Sequence, residues 1–256
     1  MSAPGSRFVP SRTRIVSACV VLVVASSAAV IAKLVRANLA DAPADVVRVV
    51  NSKLCSGVAV GTHRVLTAKH CAGSRLDEAW VAPTSTGEAI GACVLAVNAD
   101  HDLALIATAD ALPTSVSVAS VGASDVTGSI LLAGVSQGSN GWRGYSDVKS
   151  APGDTFAVDA SSGLMASLPC KADSGGPAYL SGSVVGIASR LDGAKFDCTT
   201  NAAEFVFVGN KSGWVSGYDS DSSCYATAQR VKKRLTSKGF TERDRNALQL
   251  IRPPGM

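Results

Sequence analysis

Three short runs of the chain carry side chains whose types could do nucleophilic chemistry. Leu66-Thr67-Ala68-Lys69-His70-Cys71 ends on a histidine beside a cysteine. His101-Asp102-Leu103-Ala104-Leu105 sets an aspartate before an apolar stretch. Cys170-Lys171-Ala172-Asp173-Ser174-Gly175-Gly176-Pro177 holds a serine in a glycine-rich turn. A serine hydroxyl is a poor nucleophile at neutral pH and needs a base whose pKa lies near that pH, which is histidine. The base needs a carboxylate to fix its tautomer and stabilise its charged form. Each run alone is a weak signal: an aspartate before a strand is usually a turn residue, and a Ser-Gly-Gly run is usually a loop. His101 reads as a surface neighbour of Asp102, and His63 as a solvated turn residue. The cysteine spacings do not fit zinc, and only Cys71 adjoins a histidine, so neither a metal nor an organic cofactor is implied.

The elements that must hold these residues are short and β-type. Apolar residues make up 46% of the chain and charged residues 17%, which excludes a disordered chain and leaves enough material for a sizeable core. Strand-like runs fall at 46–50, 57–60, 64–67, 79–82, 89–97 and 103–107. They resume at 130–135, 156–158, 164–167, 178–180, 184–189 and 205–208, with Ser181-Gly182 as a hairpin turn between two of them. The Ser/Ala-rich stretch 109–127 reads as a link between two halves. Many short strands with little helix imply a sandwich or barrels. Residues 222–237 are the exception: Tyr225, Ala228, Val231 and Leu235 recur at helical spacing, which predicts a C-terminal helix. Residues 239–256 are polar and end in Pro253-Pro254, so a loose basic tail is expected there.

Charge is uneven. Residues 1–36 contribute +5 and residues 229–256 contribute +6, so the whole-chain +4 leaves −7 for residues 37–228. A nucleic-acid-binding body is not supported. Residues 1–14 form a basic segment ahead of an uncharged run of 18 residues, 15–32. As a helix that run would span about 27 Å, enough for a bilayer core. It reads as an export signal, either a cleaved signal peptide or a retained anchor, and 33–44 as a linker. The basic C-terminal helix reads as a solvated face or, alternatively, as a contact for anionic lipid. With Cys19 inside the apolar run, six cysteines remain for an oxidising compartment, and six allow 15 pairings.

Taken together, the three runs resemble the T-A-x-H-C, D-[IL]-A-L and G-D-S-G-G-P motifs of the chymotrypsin/trypsin family of serine endopeptidases, in the family's order. The resemblance implies an all-β fold over residues 45–238: two six-stranded antiparallel β-barrels, a C-terminal α-helix, and a cleft between the barrels. It implies that Ser174 attacks a peptide carbonyl, His70 shuttles the proton and Asp102 orients His70, on a protein or peptide substrate and as a monomer. It also implies disulfides Cys55–Cys71 and Cys170–Cys198. That leaves Cys93 and Cys224 to each other, where the family's closing helix packs on its first barrel.

The chain departs from the family in four places. Ala172 stands where the oxyanion hole, formed with Ser174, has glycine; alanine keeps the N–H but adopts unusual backbone angles less readily. No family-type N-terminal activation is expected, because Cys55 comes too soon after 48–51, so Asp173 needs another partner. Leu168 stands at the pocket floor, where trypsin-like enzymes carry an acid. Ser189, expected to hydrogen-bond Asp102, is followed by Arg190 and Leu191 in place of Trp and Gly. Leu191 would narrow the pocket mouth and favour a small or medium apolar side chain. Ala203 forms the opposing wall, and a one-residue slip would turn Glu204 inward instead and favour a basic side chain. These departures leave open a second reading, a catalytically impaired homologue that acts as a binding module.

Overall fold

The computed structural model describes residues 40–122, 126–136, 141–151, 153–159, 169–192, 202–218 and 221–252. The apolar run 15–32, the expected strand 164–167, Leu168 and Cys198 lie outside the described residues. No helix among the described residues is long and apolar enough to cross a membrane.

Six strands, β1 (Val46–Val50), β2 (Leu54–Gly61), β3 (Arg64–Ala68), β4 (Glu78–Pro83), β5 (Ile90–Asn98) and β6 (Leu103–Thr108), close a first antiparallel barrel in the order β1-β2-β3-β6-β5-β4. A one-turn helix α1 (Lys69–Ala72) leaves the end of β3. Strands β7 (Ser129–Gly134), β8 (Trp142–Ser150), β9 (Thr155–Asp159), β10 (Pro177–Leu180), β11 (Ser183–Asp192) and β12 (Ala202–Phe207) close a second barrel in the order β10-β11-β12-β9-β8-β7. Among the described residues three α-helices come after it: α2 (Ser212–Ser216), α3 (Ser222–Ser237) and α4 (Glu242–Ile251).

The branched residues of β1 are all buried, without the usual alternation. Val46, Val47 and Val49 join the main core, whereas Val50 packs with Trp80, Ala82, Ala247 and Ile251. The strand is thus covered on both faces, by the barrel interior and by α4. In the second barrel Phe156 stacks on Phe205 at 5.2 Å and meets Phe207 at 4.9 Å. Gly186 makes room for this cluster, since a Cβ there would run into the Phe156 ring. Ser181 and Gly182 both take positive φ, +51° and +83°, the turn that matches strand twist in a two-residue hairpin between β10 and β11. The described part of 109–127 touches both halves: Ala119 N–H donates to Ala59 of the first barrel at 2.8 Å, and Val121 bridges Val184 of the second. A buried hydrogen bond from Tyr179 Oη to Asp45 Oδ1, 2.7 Å, also joins them.

Two features differ from the sequence expectation. β8 had no predicted counterpart, because Trp-Arg-Gly-Tyr-Ser-Asp-Val-Lys-Ser is a half-exposed strand with little apolar alternation. Residues 239–256 are not a loose tail throughout, since 242–251 form α4. Thr241 caps it with a reciprocal capping box to Asp244. The Arg234 Nε donates to the fully buried Asp244 at 2.8 Å and its other nitrogens to Glu78 at 3.0 and 2.8 Å. The Arg243 guanidinium lies 5.3 Å over the Trp80 ring. Two of the basic residues once available for an anionic surface therefore hold the C-terminus on the first barrel.

α3 sits on β5, where a Cβ at Gly91 would come 2.5 Å from the Lys232 nitrogen. Cys224 in its first turn is bonded to Cys93 on β5. A bond across 131 residues removes about 4–5 kcal/mol of loop entropy from the unfolded chain.

Candidate active site

His70 is fixed by its backbone before its ring is considered. The Cys55–Cys71 disulfide ties α1 to β2, and Asn51 Nδ2 donates to the Ala72 carbonyl at 2.5 Å. The Lys69 N–H donates to the Asp102 carbonyl at 2.9 Å, and the His70 N–H to Asp102 Oδ1 at 2.9 Å. The His70 ring then meets the same carboxylate, with Nδ1 2.7 Å from Oδ2. A carboxylate can only accept, so Nδ1 carries the proton and Nε2 presents a lone pair.

Asp102 takes φ +49° at the entry to β6, a left-handed conformation that costs an L-residue roughly 1–2 kcal/mol. Ser189 Oγ donates to its Oδ2 at 2.7 Å. Burial alone would raise the Asp102 carboxyl, but the His70 ring, the Ser189 hydroxyl and the His70 N–H outweigh it and hold the group below the usual carboxylate range. It stays ionised. His101, beside it, faces Asp154 at 3.7 Å, and Asp154 is also held by Lys211 at 3.1 Å. His63 Nδ1 lies 3.4 Å from the Thr108 carbonyl.

Ser174 is half-buried in the turn before β10. Gly175 after it takes φ +82°, and a Cβ there would collide with Thr67 Oγ1 and the Ser56 carbonyl. Only glycine fits that position. In this turn Asp173 N–H donates to Cys170 O at 3.0 Å, Gly175 N–H to Ala188 O at 2.8 Å and Gly176 N–H to Asp173 O at 2.8 Å. The N–H groups of Ala172 and Ser174 take no acceptor among the described residues. Two donors are thus left over in the turn that carries the hydroxyl. Ala172 holds φ +84°, the strained conformation its residue type made doubtful, at a cost of about 1–2 kcal/mol. The Ser174 hydroxyl makes no hydrogen bond to a described residue; nucleophile–base contacts commonly tighten only with substrate.

Asp173 has the partners the sequence could not name. Its Oδ1 accepts from Ser136 N–H at 2.8 Å, and its Oδ2 from Ser136 Oγ at 2.5 Å, Trp142 Nε1 at 2.9 Å and Cys170 N–H at 2.7 Å. All four donors are neutral. Burial pushes its carboxyl up, against the lowering effect of those donors. Gly134 is part of the same cage, since a Cβ there would overlap the Asp173 carboxylate. Ser136, Trp142 and Gly134 carried no signal in the sequence: they converge only when β7 and β8 pair, with Gly134 opposite Trp142.

Of the remaining sequence-derived positions, Leu191 pairs with Ala203 and Arg190 with Glu204 across β11 and β12. Ala203 is buried and Arg190 exposed, so alternation sets Glu204 on the opposite face from Ala203. Cys170 is disulfide-bonded; Cys198, its expected partner, and Leu168 lie outside the described residues. No His/Cys/Asp/Glu cluster among the described residues could hold a metal ion.

Residues 34–207 match the Trypsin family. No curated protein matches the chain by sequence. Among solved structures, the inactivated protease paralogue S-I1 of the scabies mite is similar at a TM-score of 0.55 and 14% identity, covering 70% of this chain and 97% of that one. Kallikrein-related peptidase 10 is similar at 0.53 and 19%, covering 68% and 94%. An inactive form of Rv3671c from M. tuberculosis H37Rv is similar at 0.50 and 19%, covering 68% and 86%. At these identities the likeness concerns the fold.

Proposed function

This chain belongs to the trypsin family, and we propose that it is an exported serine endopeptidase working through Ser174, His70 and Asp102. The observation that carries the reading is the line of hydrogen bonds from Ser189 Oγ through Asp102 to His70 Nδ1, both 2.7 Å, which leaves Nε2 basic. Ser174 Oγ attacks the scissile carbonyl while His70 Nε2 takes its proton. The carbonyl electrons move to oxygen, and the N–H groups of Ala172 and Ser174, which take no acceptor among the described residues, receive the developing charge. The His70 imidazolium then protonates the amine as the C–N bond breaks, leaving an acyl-enzyme. Water, deprotonated by His70, attacks the acyl carbon in turn, and the bond to Ser174 Oγ breaks as His70 returns the proton to that oxygen, releasing the acid. Asp102 stays ionised throughout and stabilises the imidazolium.

The substrate binds as an added strand. β10 pairs β11 only as far as Pro177↔Ile187, and 190–192 pair with β12 on one edge alone among the described residues. An extended peptide laid on the open edge passes Ser174. Leu168, Leu191 and Ala203 would line the pocket for the side chain before the cut, giving a preference for small or medium apolar residues. The disulfides suit an oxidising compartment, and 15–32 would direct export there.

A fluorophosphonate probe tests the chemistry. Wild-type, disulfide-bonded protein is expected to label once per chain and Ser174→Ala not at all. Unlabelled wild type would replace the enzyme by the impaired homologue that only binds. Cleavage profiling with a peptide library reads the pocket preference in the same preparation.

A further inference from the structure

The edge of β11 that faces Ser174 changes hands at Ala188. Up to that point β10 and the turn before it run alongside: Pro177 pairs with Ile187, Gly175 N–H donates to Ala188 O at 2.8 Å, and Ala188 N–H donates to Gly176 O at 2.9 Å. Past Ala188 nothing among the described residues pairs with that edge. Ser189 comes next, and its hydroxyl on Asp102 at 2.7 Å sets where the triad lies along the strand. Arg190 follows, about 3.3 Å further on. It is exposed, and its guanidinium makes no hydrogen bond or ion pair to a described residue. Across β11 and β12 it stands opposite Glu204, while Leu191 stands opposite the buried Ala203.

A peptide running antiparallel to β11 lays the residues upstream of the cut along 190–192 and brings the cut to Ser174. The residue just before the cut turns its side chain into the pocket, on the face of Ala203. Side chains alternate along a strand, so the second residue before the cut turns the other way, onto the face of Arg190. Opposite residues of an antiparallel pair hold their Cβ atoms about 4.5–5.5 Å apart, and opposite charges there attract. Glu204 on the other flank does not use up the guanidinium, which has five donors and can serve two acids at once. Arg234 does so in this molecule, with Glu78 and Asp244. We infer that Arg190 is a specificity residue that selects a carboxylate side chain at the second position before the cut. The preferred substrate is then an acidic residue followed by a small or medium apolar one and the scissile bond. This rests on the proteolytic reading and names its substrate class.

The full chain is assayed with two N-acetyl tetrapeptide anilides that end in alanine and differ only in Glu or Gln at the second residue before the cut. Glu is expected to raise kcat/KM about 5-fold over Gln, the upper range for a partly exposed ion pair, and by less at high salt. Arg190→Gln should abolish the preference and Arg190→Glu reverse it. The ratio is taken within each protein, so a change in the amount of active enzyme cancels. A ratio near one in wild type, or a preference that survives both substitutions, overturns the inference. An arginine that serves only as the cross-strand partner of Glu204 gives another pattern: Arg190→Gln and Glu204→Gln then lower the urea midpoint alike and neither moves the ratio. Under the inference Glu204→Gln raises the preference, because a competing carboxylate is gone. Should Arg190→Glu fail to fold with two acids facing each other across β11 and β12, Arg190→Gln alone decides. If wild type does not label with fluorophosphonate, the proteolytic reading falls, and calorimetric titration with the two corresponding N-acetyl tetrapeptide amides decides Arg190. Tighter binding of the Glu peptide that Arg190→Gln abolishes keeps it as an acid-binding residue, and equal binding of the two peptides removes it.

Discussion

Trp142 Nε1 lies 2.9 Å from Oδ2 of Asp173. The acid before Ser174 is therefore anchored by an indole from β8 rather than by a charged amine, and together with Ser136 and Cys170 the indole holds a fully buried carboxyl group with neutral dipoles only. An anchor built from the chain's own interior is complete on folding and needs no cleavage to form. Trp142→Phe keeps much of the ring volume and removes the donor. A hydrogen bond to a charged group contributes about 1.5–3 kcal/mol, so the loop loosens, and kcat should fall about tenfold while KM changes little. Steady-state kinetics on a peptide ester measures this; an unchanged kcat would mean the indole only fills space.

The same carboxylate gives the protein an unusual pH signature. Burial raises its folded-state pKa above the unfolded value. The folded protein thus holds that proton more tightly than the unfolded chain does. Asp173's contribution to stability is fully present below the unfolded value of about 3.9 and is lost as pH rises through the folded one. Asp173→Asn removes the titration. Relative to wild type, the variant should gain stability as pH rises above about 4 and level off once the folded value is passed. Asp102, lowered by its partners, runs the other way: its contribution is present above the unfolded value and lost as pH falls. Urea midpoints from acidic to neutral pH read both. A difference between wild type and the Asp173→Asn variant that stays flat in pH would defeat this account of Asp173.

Some of this was legible in the residues and some was not, for physical reasons. The His70–Asp102 contact was suggested by residue type, since the proposed chemistry requires a histidine beside a carboxylate, and Gly175 after Ser174 stands where only glycine fits. α3 was legible because one apolar stripe faces β5. The cage around Asp173 was not, because apart from the neighbouring Cys170 N–H its donors lie 31 and 37 residues away and meet the acid only through the β7–β8 register. α4 hid behind its polarity. Its burial relies on Ala247 and Ile251 and on a paired charge, although Thr241 and Asp244 carried a capping signal that could have found it.

That paired charge is a stability element. Arg234 bridges Glu78 on β4 and Asp244 on α4, and Asp244 has no exposure of its own. The hydrogen bonds to Asp244 and Glu78 hold the Arg234 guanidinium above its ordinary pKa. Breaking a fully buried pair costs about 3–5 kcal/mol. Here Arg234 and Glu78 keep 22% and 24% of their side-chain surface in water, so roughly 2 kcal/mol is the appropriate scale. Arg234→Met should lower stability by that amount and expose α4 to proteolysis at 239–241 before the barrels open. Limited proteolysis followed by mass analysis detects the order; simultaneous cleavage of tail and barrels would show that α4 is not a separate element.

Ser189 offers the sharpest separation of a positioning role from a structural one. Its hydroxyl supplies one of the three donors on Asp102, the others coming from His70 itself. Ser189→Ala leaves the backbone pairing of β11 untouched and removes only that donor. One lone pair of Oδ2 is then left to water, and Asp102 orients the His70 ring less firmly. The missing bond also removes one of the interactions that lower the Asp102 carboxyl, so its pKa should rise toward the usual range. The expected outcome is a fall in kcat of about 10-fold, from loss of about 1.5 kcal/mol at one charge-assisted hydrogen bond. KM should change little, because the hydroxyl is turned toward Asp102. The acid limb of the kcat profile should move to higher pH. A rate loss with an unmoved acid limb would place the role of Ser189 in packing instead.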